Sequence, residues 1–415
     1  MQIGTYSLGV GDRFGREGKA QLMAVARAKQ AGIDVVPVWN KSHREHTIIG
    51  TSPADVRTEA DAAVRALGWQ GQYFVDADHI GLKTVDAFIE SADFFTLDVA
   101  DYTGQAAADD AIDSFVRQHG DLVGTLTIAG IDEQFTITPD DIRDVARKYL
   151  LAVNEAGQIY RHVAERKGAD AFVAEVSMDE TDTPQTPVEL LFILAMIADE
   201  GIPAQTIAPR FSGRFNKGVD YVGDVALFAR EFEQDVLVIA HAVERFGLPP
   251  NLKLSVHSGS DKFAIYGPIR EVLHKHGAGV HLKTAGTTWL EEIIGLAAAG
   301  GDGLALAKDI YRTAFGRFDE LCGPYASVID IDRDALPAPP QVEQWSADDF
   351  VEALRHDRSC SRYDPNLRQM LHVGYKVAAE LGERFHGALE EYEDVIAPHV
   401  TQNIFERHIK PVFIG

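Results

Sequence analysis

The residues best suited to chemistry lie in one short stretch, residues 73–81, whose sequence is YFVDADHIG. The stretch begins like a buried parallel strand, and acids and an imidazole follow before a glycine ends it. Polar groups at the carboxyl end of a strand are what an α/β enzyme presents to its substrate. Asp78 and His79 could therefore supply a proton carrier and a metal ligand. A hydrogen bond between the two that caps the next helix is the alternative.

Two further histidines, His257 and His281, lie at the ends of short apolar runs later in the chain. Side chains from the strand ends of one barrel converge on a common axis, and three imidazoles on one divalent ion leave positions open for water or substrate. Each histidine alone is more often structural than a ligand. Because all three would lie on one face of the barrel, we predict that His79, His257 and His281 bind one metal ion.

The metal and its ligands stay partly open. Imidazole nitrogens suit zinc, manganese, nickel, cobalt and iron, so the sequence predicts one divalent cation without selecting among these. Asp220 and Glu180 are alternative carboxylate ligands. Asp220 could equally be a solvated residue of a helix.

Proton transfer needs a titratable group beside the metal. Glu175 lies inside an otherwise apolar strand, where it must be paired, metal-bound or protonated, because an unpaired buried carboxylate is costly. Desolvation would raise the pKa of Glu175, which suits a proton carrier. Asp78 is the second candidate, because a carboxylate beside a metal can reach an oxygen bound to the ion. The alternative is a buried salt bridge between Glu175 and a lysine such as Lys283.

Basic side chains also follow several of the predicted strands. The chain as a whole is acidic, so basic side chains beside the histidines predict a pocket that binds an anion. A carboxylate and a phosphate fit this charge equally. Residues 258–260, Ser-Gly-Ser, could add backbone N–H groups, although they are a weak phosphate signal. The residues that we predict to bind substrate are Lys41, Arg210, Ser258, Lys262 and Lys283, and Arg44 belongs to the same basic group.

These residues can meet only if the strands that carry them form one sheet. Eight strand-like segments, most of them separated by helical patterns, lie within about the first 300 residues, which is the layout of a (β/α)8 barrel. They are residues 2–9, 35–39, 73–81, 94–99, 172–176, 205–208, 253–256 and 279–282. A doubly wound open sheet is the alternative. No GxGxxG follows the first strand and no GxxxxGK[ST] occurs, which removes the usual nucleotide motifs.

The gap between the fourth and fifth predicted strands is too long for a simple crossover. We predict a small inserted lobe at about residues 105–168, whose place beside the catalytic face would suit a lid or a cleft wall. The barrel would then span residues 1–305, and residues 306–415 would form a C-terminal helical region with about three helices after residue 345. That region could serve a subunit interface, so a homo-oligomer is one outcome and the oligomeric state stays open.

Composition limits the classes of function. The 415 residues include 63 acidic and 39 basic side chains, a formal net charge of −24, which argues against a nucleic-acid partner because phosphates demand a basic surface. The two cysteines show no CxxC spacing, and no apolar run approaches the roughly 20 residues of a membrane span. The N-terminus lacks the pattern of a signal peptide. We therefore expect a cytoplasmic protein that acts on a small molecule.

Four motifs of this chain resemble those of the tagaturonate epimerase family. They are residues 73–81 (YFVDADHIG), 208–211 (APRF), 257–263 (HSGSDKF) and 281–287 (HLKTAGT). Members of that family are bacterial isomerases that interconvert tagaturonate and fructuronate in uronic acid catabolism with a divalent metal. The resemblance spans most of the chain and implies the same activity, a metal cofactor and a sugar acid as substrate. A more distant similarity, in the order of Asp78-His79, His257 and His281, is to class II metal-dependent aldolases.

The chemistry that the resemblance implies favours one mechanism. Tagaturonate and fructuronate are epimers at a hydroxyl-bearing carbon two bonds from the ketone, and the carbonyl does not acidify the hydrogen on that carbon. We therefore expect retro-aldol cleavage, rotation of the aldehyde and re-addition, with Glu175 and Asp78 moving protons. A transient oxidation would need a nicotinamide site, for which the sequence has no motif.

Two other functions stay open on the sequence alone. The first is a class II-type aldolase or isomerase that acts on a related sugar acid or sugar phosphate. The second is a non-catalytic barrel that binds a sugar acid as a sensor or scaffold. Asp78 and Glu175 argue against the second, because binding alone does not need two potential proton carriers beside a metal.

Overall fold

Eight parallel strands form a closed barrel in the computed structural model, which describes residues 1–179, 181–284 and 286–415. The strands of the described residues are β1 (Tyr6–Val10), β2 (Val35–Ser42), β3 (Phe74–Ile80), β4 (Phe94–Asp98), β5 (Gly124–Leu126), β6 (Phe135–Ile137), β7 (Val173–Ser177), β8 (Ala204–Ala208), β9 (Lys253–Val256) and β10 (Val280–Lys283). Around the barrel the order is β1, β2, β3, β4, β7, β8, β9 and β10, and β10 pairs with β1 to close the sheet. All eight predicted strands overlap these eight. The predicted (β/α)8 fold is therefore confirmed, and the open sheet is wrong.

Helices cover the outside of the barrel and form the region that follows it. The α-helices of the described residues are α1 (Gly18–Gln30), α2 (His43–Ile49), α3 (Pro53–Leu67), α4 (Asp109–Gln118), α5 (Pro139–Lys167), α6 (Pro187–Asp199), α7 (Val225–Phe246), α8 (Phe263–His276), α9 (Thr287–Ala299), α10 (Gly301–Gly316), α11 (Phe318–Cys322), α12 (Pro339–Glu343), α13 (Ala347–Leu354), α14 (Pro365–Val373), α15 (Tyr375–Glu380), α16 (Glu383–Glu391) and α17 (Glu393–Gln402). A π-helical segment, Asn403–Ile414, follows α17. Within the described part of the chain, no helix combines the length and the apolar character needed to cross a membrane.

The segment between β4 and β7 holds more than a crossover helix. It contains α4, the antiparallel pair β5–β6 and α5, which packs against α4, α6 and β4. Helix α5 begins at a capping box, in which Thr138 and Asp141 each accept a hydrogen bond from the backbone N–H of the other. The predicted lobe, residues 105–168, covers all of these elements. Its suggested role as a lid stays a prediction.

Strand register sets which side chains share a level inside the barrel. His281 of β10 pairs with Ser7 of β1 and with Ser255 of β9. Side chains that face the same way along a strand are two residues apart. Lys283 and His257 therefore lie one level nearer the carboxyl ends of the strands than His281 does. This difference of one level decides which residues reach the mouth of the barrel.

The helices after α9 pack back onto the barrel. Helix α17 contacts α9 and α1, and the π-helical segment contacts α8 and α1. The predicted boundary at residues 305 and 306 falls inside α10, and the division into two units stays a prediction. After residue 345 the chain forms the five helices α13–α17 and the π-helical segment, more than the three helices expected.

A buried ion pair ties this C-terminal region to the barrel. Arg368 of α14 and Asp261, in the loop after β9, are both fully buried, and Arg368 Nη2 donates to Asp261 Oδ2 at 2.9 Å. The guanidinium also donates to the backbone carbonyls of Gly218 and Leu354, at 2.6 and 2.7 Å. Asp261 has a left-handed φ of 61°, which a residue with a side chain adopts only when its surroundings hold it there. The pair therefore fixes the loop that also carries His257.

We predict that Arg368→Met lowers the free energy of unfolding by about 3–5 kcal/mol, because it leaves the Asp261 carboxylate buried without its cation. Arg358→Met is the matched control. Arg358 pairs with Asp220 at 3.2 Å, but its side chain is 70% exposed, so we expect its loss to change stability by no more than about 1 kcal/mol. Chemical denaturation of the two variants and the wild type measures the difference. Equal denaturation midpoints for the two variants would contradict the assigned role of Arg368.

Candidate active site

A cavity of about 360 Å³ opens at the carboxyl ends of the barrel strands. A second cavity of about 350 Å³ continues from it, since both are lined by Arg44, Asp179 and His257. The charged and imidazole side chains that line the first cavity are Arg13, His43, Arg44, Glu45, Asp78, His79, Asp98, Asp179, Lys217, His257, Lys283 and His372. This is the face on which barrel enzymes place their active sites.

One lysine lies at the centre of the charged network. Lys283 Nζ of β10 donates to Asp78 Oδ1 at 2.7 Å and to Asp76 Oδ2 at 2.8 Å, and it forms an ion pair with Glu175 Oε1 at 3.0 Å. The hydroxyl of Thr96 lies 2.6 Å from the same ammonium. All four partners are buried. Burial alone would lower the pKa of Lys283, but the three carboxylates raise it well above its ordinary value.

The lysine changes the protonation expected for the acids around it. Burial would raise the pKa of Glu175, but Lys283 and His257 lower it well below its ordinary value. The expectation of a raised pKa for Glu175 is therefore wrong, and the alternative of a buried salt bridge with Lys283 is the one that the structure contains. The pKa of Asp78 is lowered in the same way, against its burial, by Lys283 and His79. Asp76 differs, because burial outweighs Lys283, and Asp78 and Glu175 repel its charge, so its pKa rises to about 7.

Carboxylates orient two of the imidazoles that line the cavity, those of His79 and His257. His79 Nδ1 lies 2.9 Å from Asp98 Oδ2, and His257 Nε2 lies 2.8 Å from Glu175 Oε1. The ring centroids of the two histidines are 5.0 Å apart. His79 has a φ of 51° and lies within an irregularity, between Ala77 and Ile80, in the pairing of β3 with β4. Such left-handed residues concentrate at functional sites, where the surroundings hold the strained backbone.

The remaining ring nitrogens face a third residue, Asp179. His257 Nδ1 lies 3.2 Å from Asp179 Oδ1, yet it is buried and lacks the alignment of a hydrogen bond. His79, Asp179 and His257 each offer one ligand atom, and these atoms all lie within 4.8 Å of one another. A metal-bound histidine usually gives its other ring nitrogen to a carboxylate, as both histidines do here. These residues therefore fit a divalent cation.

The electrostatics of the three residues agree with that fit. Burial would lower the pKa of His79, but Asp78 and Asp98 raise it to about 10. Burial has the same effect on His257, and Asp179 raises its pKa to about 8. Both imidazoles therefore attract protons in the absence of another cation. The surplus of negative charge that binds those protons would also bind a metal ion.

The structure does not bring the third predicted ligand, His281, into this group. It lies one level deeper, where Nδ1 is 2.9 Å from Ser7 Oγ and the ring packs 5.3 Å from that of Phe94. Burial lowers the pKa of His281 to about 3. The structure therefore does not bring the three imidazoles together, and Asp179 is the residue whose ligand atom lies near those of His79 and His257. The sequence signal for Asp179 was its place two residues after β7.

The alternative ligand Asp220 is not found in the group. Asp220 accepts a hydrogen bond from the backbone N–H of Ala264 at 3.0 Å and pairs with Arg358, so it caps the start of α8. Its carboxylate is held by a neighbouring helix and an exposed arginine. Glu180 lies outside the described residues.

The predicted substrate-binding residues divide into two groups. Lys283 and Ser258 line the first cavity, and Arg210 lines the second. Lys41 is buried and donates to the backbone carbonyl of Arg13, because the alternation along β2 turns it away from the cavity. Lys262 is also buried and donates to three backbone carbonyls, and burial lowers its pKa to about 7.

Several lining residues were missed, and three of them are cationic or imidazole side chains near one another: Arg13, Lys217 and His372. Arg13 follows the end of β1, so its position after a strand was a usable signal. Lys217 lies in the long loop after β8 and donates to Ser258 Oγ at 2.8 Å. His372 comes from α14, outside the barrel, and no local pattern in the sequence points to the cavity.

A (β/α)8 barrel with acids, imidazoles and a buried lysine around a cavity at the carboxyl ends of its strands is the architecture of a barrel enzyme. A sequence model of the family described as UxaE, tagaturonate epimerase, matches residues 1–412. The chain therefore belongs to the tagaturonate epimerase family, and the resemblance carried by the four motifs is confirmed. Membership of a family of epimerases assigns the chain to the isomerase class.

Individual proteins agree with this assignment. The chain is 28% identical over 419 residues to a tagaturonate/fructuronate epimerase of Thermotoga maritima, and the match covers 97% of this chain and 80% of that protein. A glycerol-bound crystal structure of fructuronate-tagaturonate epimerase from Cohnella laeviribosi has a TM-score of 0.80 at 22% identity, and covers 99% of this chain and 82% of its own. The native crystal structure of that enzyme has a TM-score of 0.78 at 23% identity, with the same coverage. At this identity the two structures support the fold.

We predict that Asp76→Asn reduces the pH dependence of stability. The folded chain raises the pKa of Asp76 from its ordinary value to about 7, so it binds this proton more tightly than the unfolded chain does. The free energy of unfolding of the wild type should therefore fall as the pH rises from about 4 to about 7. Asparagine cannot ionise, so the free energy of unfolding of the variant should not show this fall. The difference in that free energy, variant minus wild type, should therefore be larger at pH 8 than at pH 5 by on the order of 2 kcal/mol.

Asp78→Asn is the matched control, because Asp78 binds the same lysine with a lowered pKa. A carboxyl whose pKa is lower in the folded than in the unfolded chain stabilises the fold at any pH above its ordinary pKa. That stabilisation is lost as the pH falls to the pKa of the folded chain. We therefore expect Asp78→Asn to destabilise the chain at neutral pH. Denaturation by urea at several pH values measures both effects. Parallel pH profiles for the wild type and Asp76→Asn would contradict the raised pKa.

Proposed function

We propose that the chain interconverts tagaturonate and fructuronate with one divalent metal ion bound by His79, Asp179 and His257. Family membership and the relative from Thermotoga maritima support the substrate pair. The observation that carries the proposal is the position of the three ligand atoms, within 4.8 Å of one another, beside Asp78 and Lys283 in the cavity. Cytoplasmic location and a homo-oligomeric state stay predictions.

The three proposed ligands can bind a divalent metal ion, but their types do not determine which metal it is. Two imidazoles and one carboxylate are compatible with zinc, manganese, nickel, cobalt or iron. A divalent ion held there supplies electrophilic stabilisation of negative charge that develops on substrate oxygens. Asp98 and Glu175 hold the second ring nitrogens of His79 and His257, and so keep the rings in the orientation that a ligand needs.

Asp78 is the residue that we propose moves the proton. It lines the cavity and is ionised, since the pKa of its carboxyl is lowered by Lys283. As the bond between the carbinol carbon and its neighbour next to the ketone breaks, the hydroxyl proton passes to Asp78 and an aldehyde forms. The aldehyde rotates, the bond re-forms on its other face, and Asp78 returns the proton to the new hydroxyl. The proton count is therefore unchanged over the cycle.

Glu175 has a different part in this scheme from the one expected. It is fully buried and accepts hydrogen bonds from Thr96 and His257 while it pairs with Lys283. It does not line either cavity. A carboxylate that does not reach the cavity has no substrate hydroxyl from which to accept a proton. We propose that Glu175 positions His257 and Lys283 and that it makes no contact with the substrate.

We predict that Asp179→Asn weakens metal binding by at least about 10-fold, because an amide oxygen replaces an anionic ligand. Asp182→Asn is the matched control, since Asp182 is an exposed acid of the same loop that lines only the second cavity. Elemental analysis after dialysis, combined with an assay of tagaturonate conversion, measures metal content and activity together. We expect both to fall for Asp179→Asn and neither for Asp182→Asn. Full metal content in Asp179→Asn would remove Asp179 from the ligand set.

We also predict that epimerisation in deuterium oxide leaves the original hydrogen on the inverted carbon. Retro-aldol cleavage breaks a carbon–carbon bond and never the carbon–hydrogen bond at that centre. Proton NMR of the fructuronate formed from tagaturonate reads this directly, and borohydride added during turnover should trap reduced three-carbon fragments. Deuterium at the inverted carbon would contradict the mechanism. Net accumulation of the fragments would instead favour an aldolase.

A further inference from the structure

One residue of the cavity comes from outside the barrel. His372 lies in the last turn of α14, is 2% exposed and lines the first cavity. Both of its ring nitrogens are buried and neither has a hydrogen-bond partner, and no other imidazole in the described residues combines these features. Buried polar atoms are hydrogen-bonded in the great majority of cases. An imidazole in this position therefore suggests a partner that enters the cavity.

The ring of His372 is held in place through its backbone and by close packing at its Nε2 edge. Arg13 Nη1 donates to the carbonyl of His372 at 2.9 Å, and Trp289 Nε1 donates to that of Leu371 at 2.7 Å. Gly286 packs against the ring so closely that a Cβ there would lie 2.3 Å from His372 Nε2. Gly286 also has a φ of 90°, which favours glycine. The ring is therefore positioned before any ligand binds.

The surroundings of the ring are cationic. Burial and the charges of Arg13, Lys217 and Arg368 lower the pKa of His372 well below its ordinary value. The imidazole is therefore neutral at neutral pH, with one nitrogen that donates and one that accepts. The neutral ring keeps one donor, which can bind an anion while the neighbouring cations balance the charge.

Charge divides the cavity into two parts. The carboxylates of Asp78, Asp98 and Asp179 act on the charge of His79, whereas the cations Arg13 and Lys217 act on that of His372. Glu45 also lines the cavity and pairs with Arg13 at 3.2 Å. A substrate carboxylate would be repelled by the first part and attracted by the second. The reacting carbons would then lie near Asp78, and the acid group would lie near the C-terminal helices.

We propose that His372 donates a hydrogen bond to the carboxylate of the sugar acid, beside Lys217, so that the C-terminal helical region completes the substrate site of the barrel. This inference rests on the proposed function for the class of substrate. It assigns His372 to recognition of the acid group and leaves proton transfer to Asp78.

Titration calorimetry on the full-length, metal-loaded protein tests the proposal as a binding measurement, with each ligand brought to its epimerisation equilibrium beforehand so that turnover adds no net heat. The two ligands are tagaturonate and the corresponding ketohexose, which carries a hydroxymethyl group in place of the carboxylate. Loss of a hydrogen bond to a charged group should weaken tagaturonate binding to His372→Leu by about 10-fold to 100-fold. Binding of the ketohexose should not change. We expect His372→Gln, which keeps a donor, to recover part of the affinity.

His399→Leu is the matched control, because His399 lies in the same helical region, hydrogen-bonds Arg355 and does not line either cavity. It should bind both ligands like the wild type. Unchanged tagaturonate affinity in His372→Leu, or an equal loss for both ligands, would overturn the proposal. If His372→Leu fails to fold, NMR of the histidine-labelled wild type gives a second readout. The resonance of His372, identified by its absence in His372→Gln, should shift with tagaturonate and not with the ketohexose, and no shift would overturn the proposal.

The two proposals fail in different ways. Tagaturonate that binds through His372 but is not epimerised would refute the proposed function and leave this inference standing. Epimerisation with equal KM values in the wild type and His372→Leu would refute this inference and leave the proposed function standing.

Discussion

The active site depends on one ammonium group that spans the interior of the barrel. Lys283 lies on β10, whose neighbours in the sheet are β1 and β9, yet it contacts Asp76 and Asp78 of β3 and Glu175 of β7. Only a closed barrel brings these strands within reach of one side chain. The fold also requires this contact, because each buried carboxylate would destabilise the folded chain by several kcal/mol if it had no cation beside it. The carboxylates of the site can therefore stay ionised only when the barrel is closed.

The positions of the imidazoles follow from this centre. Glu175, held by Lys283, accepts from His257, and Asp98, at the end of β4, accepts from His79. Left-handed backbone at His79 and Asp261 costs on the order of 1–3 kcal/mol for each residue, and it persists only where the surroundings impose it. The cavity wall is therefore assembled from the barrel loops and from the helices that follow the barrel.

The parts of the site that follow from a strand end could be predicted from the sequence. An apolar run that meets polar residues marks where a parallel strand ends, which places Asp78, His257 and Lys283 at one face of the barrel. The sequence did not show that His281 lies one level deeper than His257, because strand register sets that level. The pKa expected for Glu175 was wrong because burial was counted without Lys283, whose contact crosses the barrel. His372 could not be predicted, since only packing of the C-terminal helices carries it to the cavity.

The proposed chemistry depends on a metal ion held by two histidines and one aspartate at the mouth of the barrel. Anomalous diffraction from crystals of the metal-loaded protein, recorded on both sides of the absorption edge of the metal, locates the ion without reference to activity. We expect one strong peak within bonding distance of His79, Asp179 and His257, with none beside His281. A peak at His281, or a loaded crystal with no peak between the three proposed ligands, would contradict it.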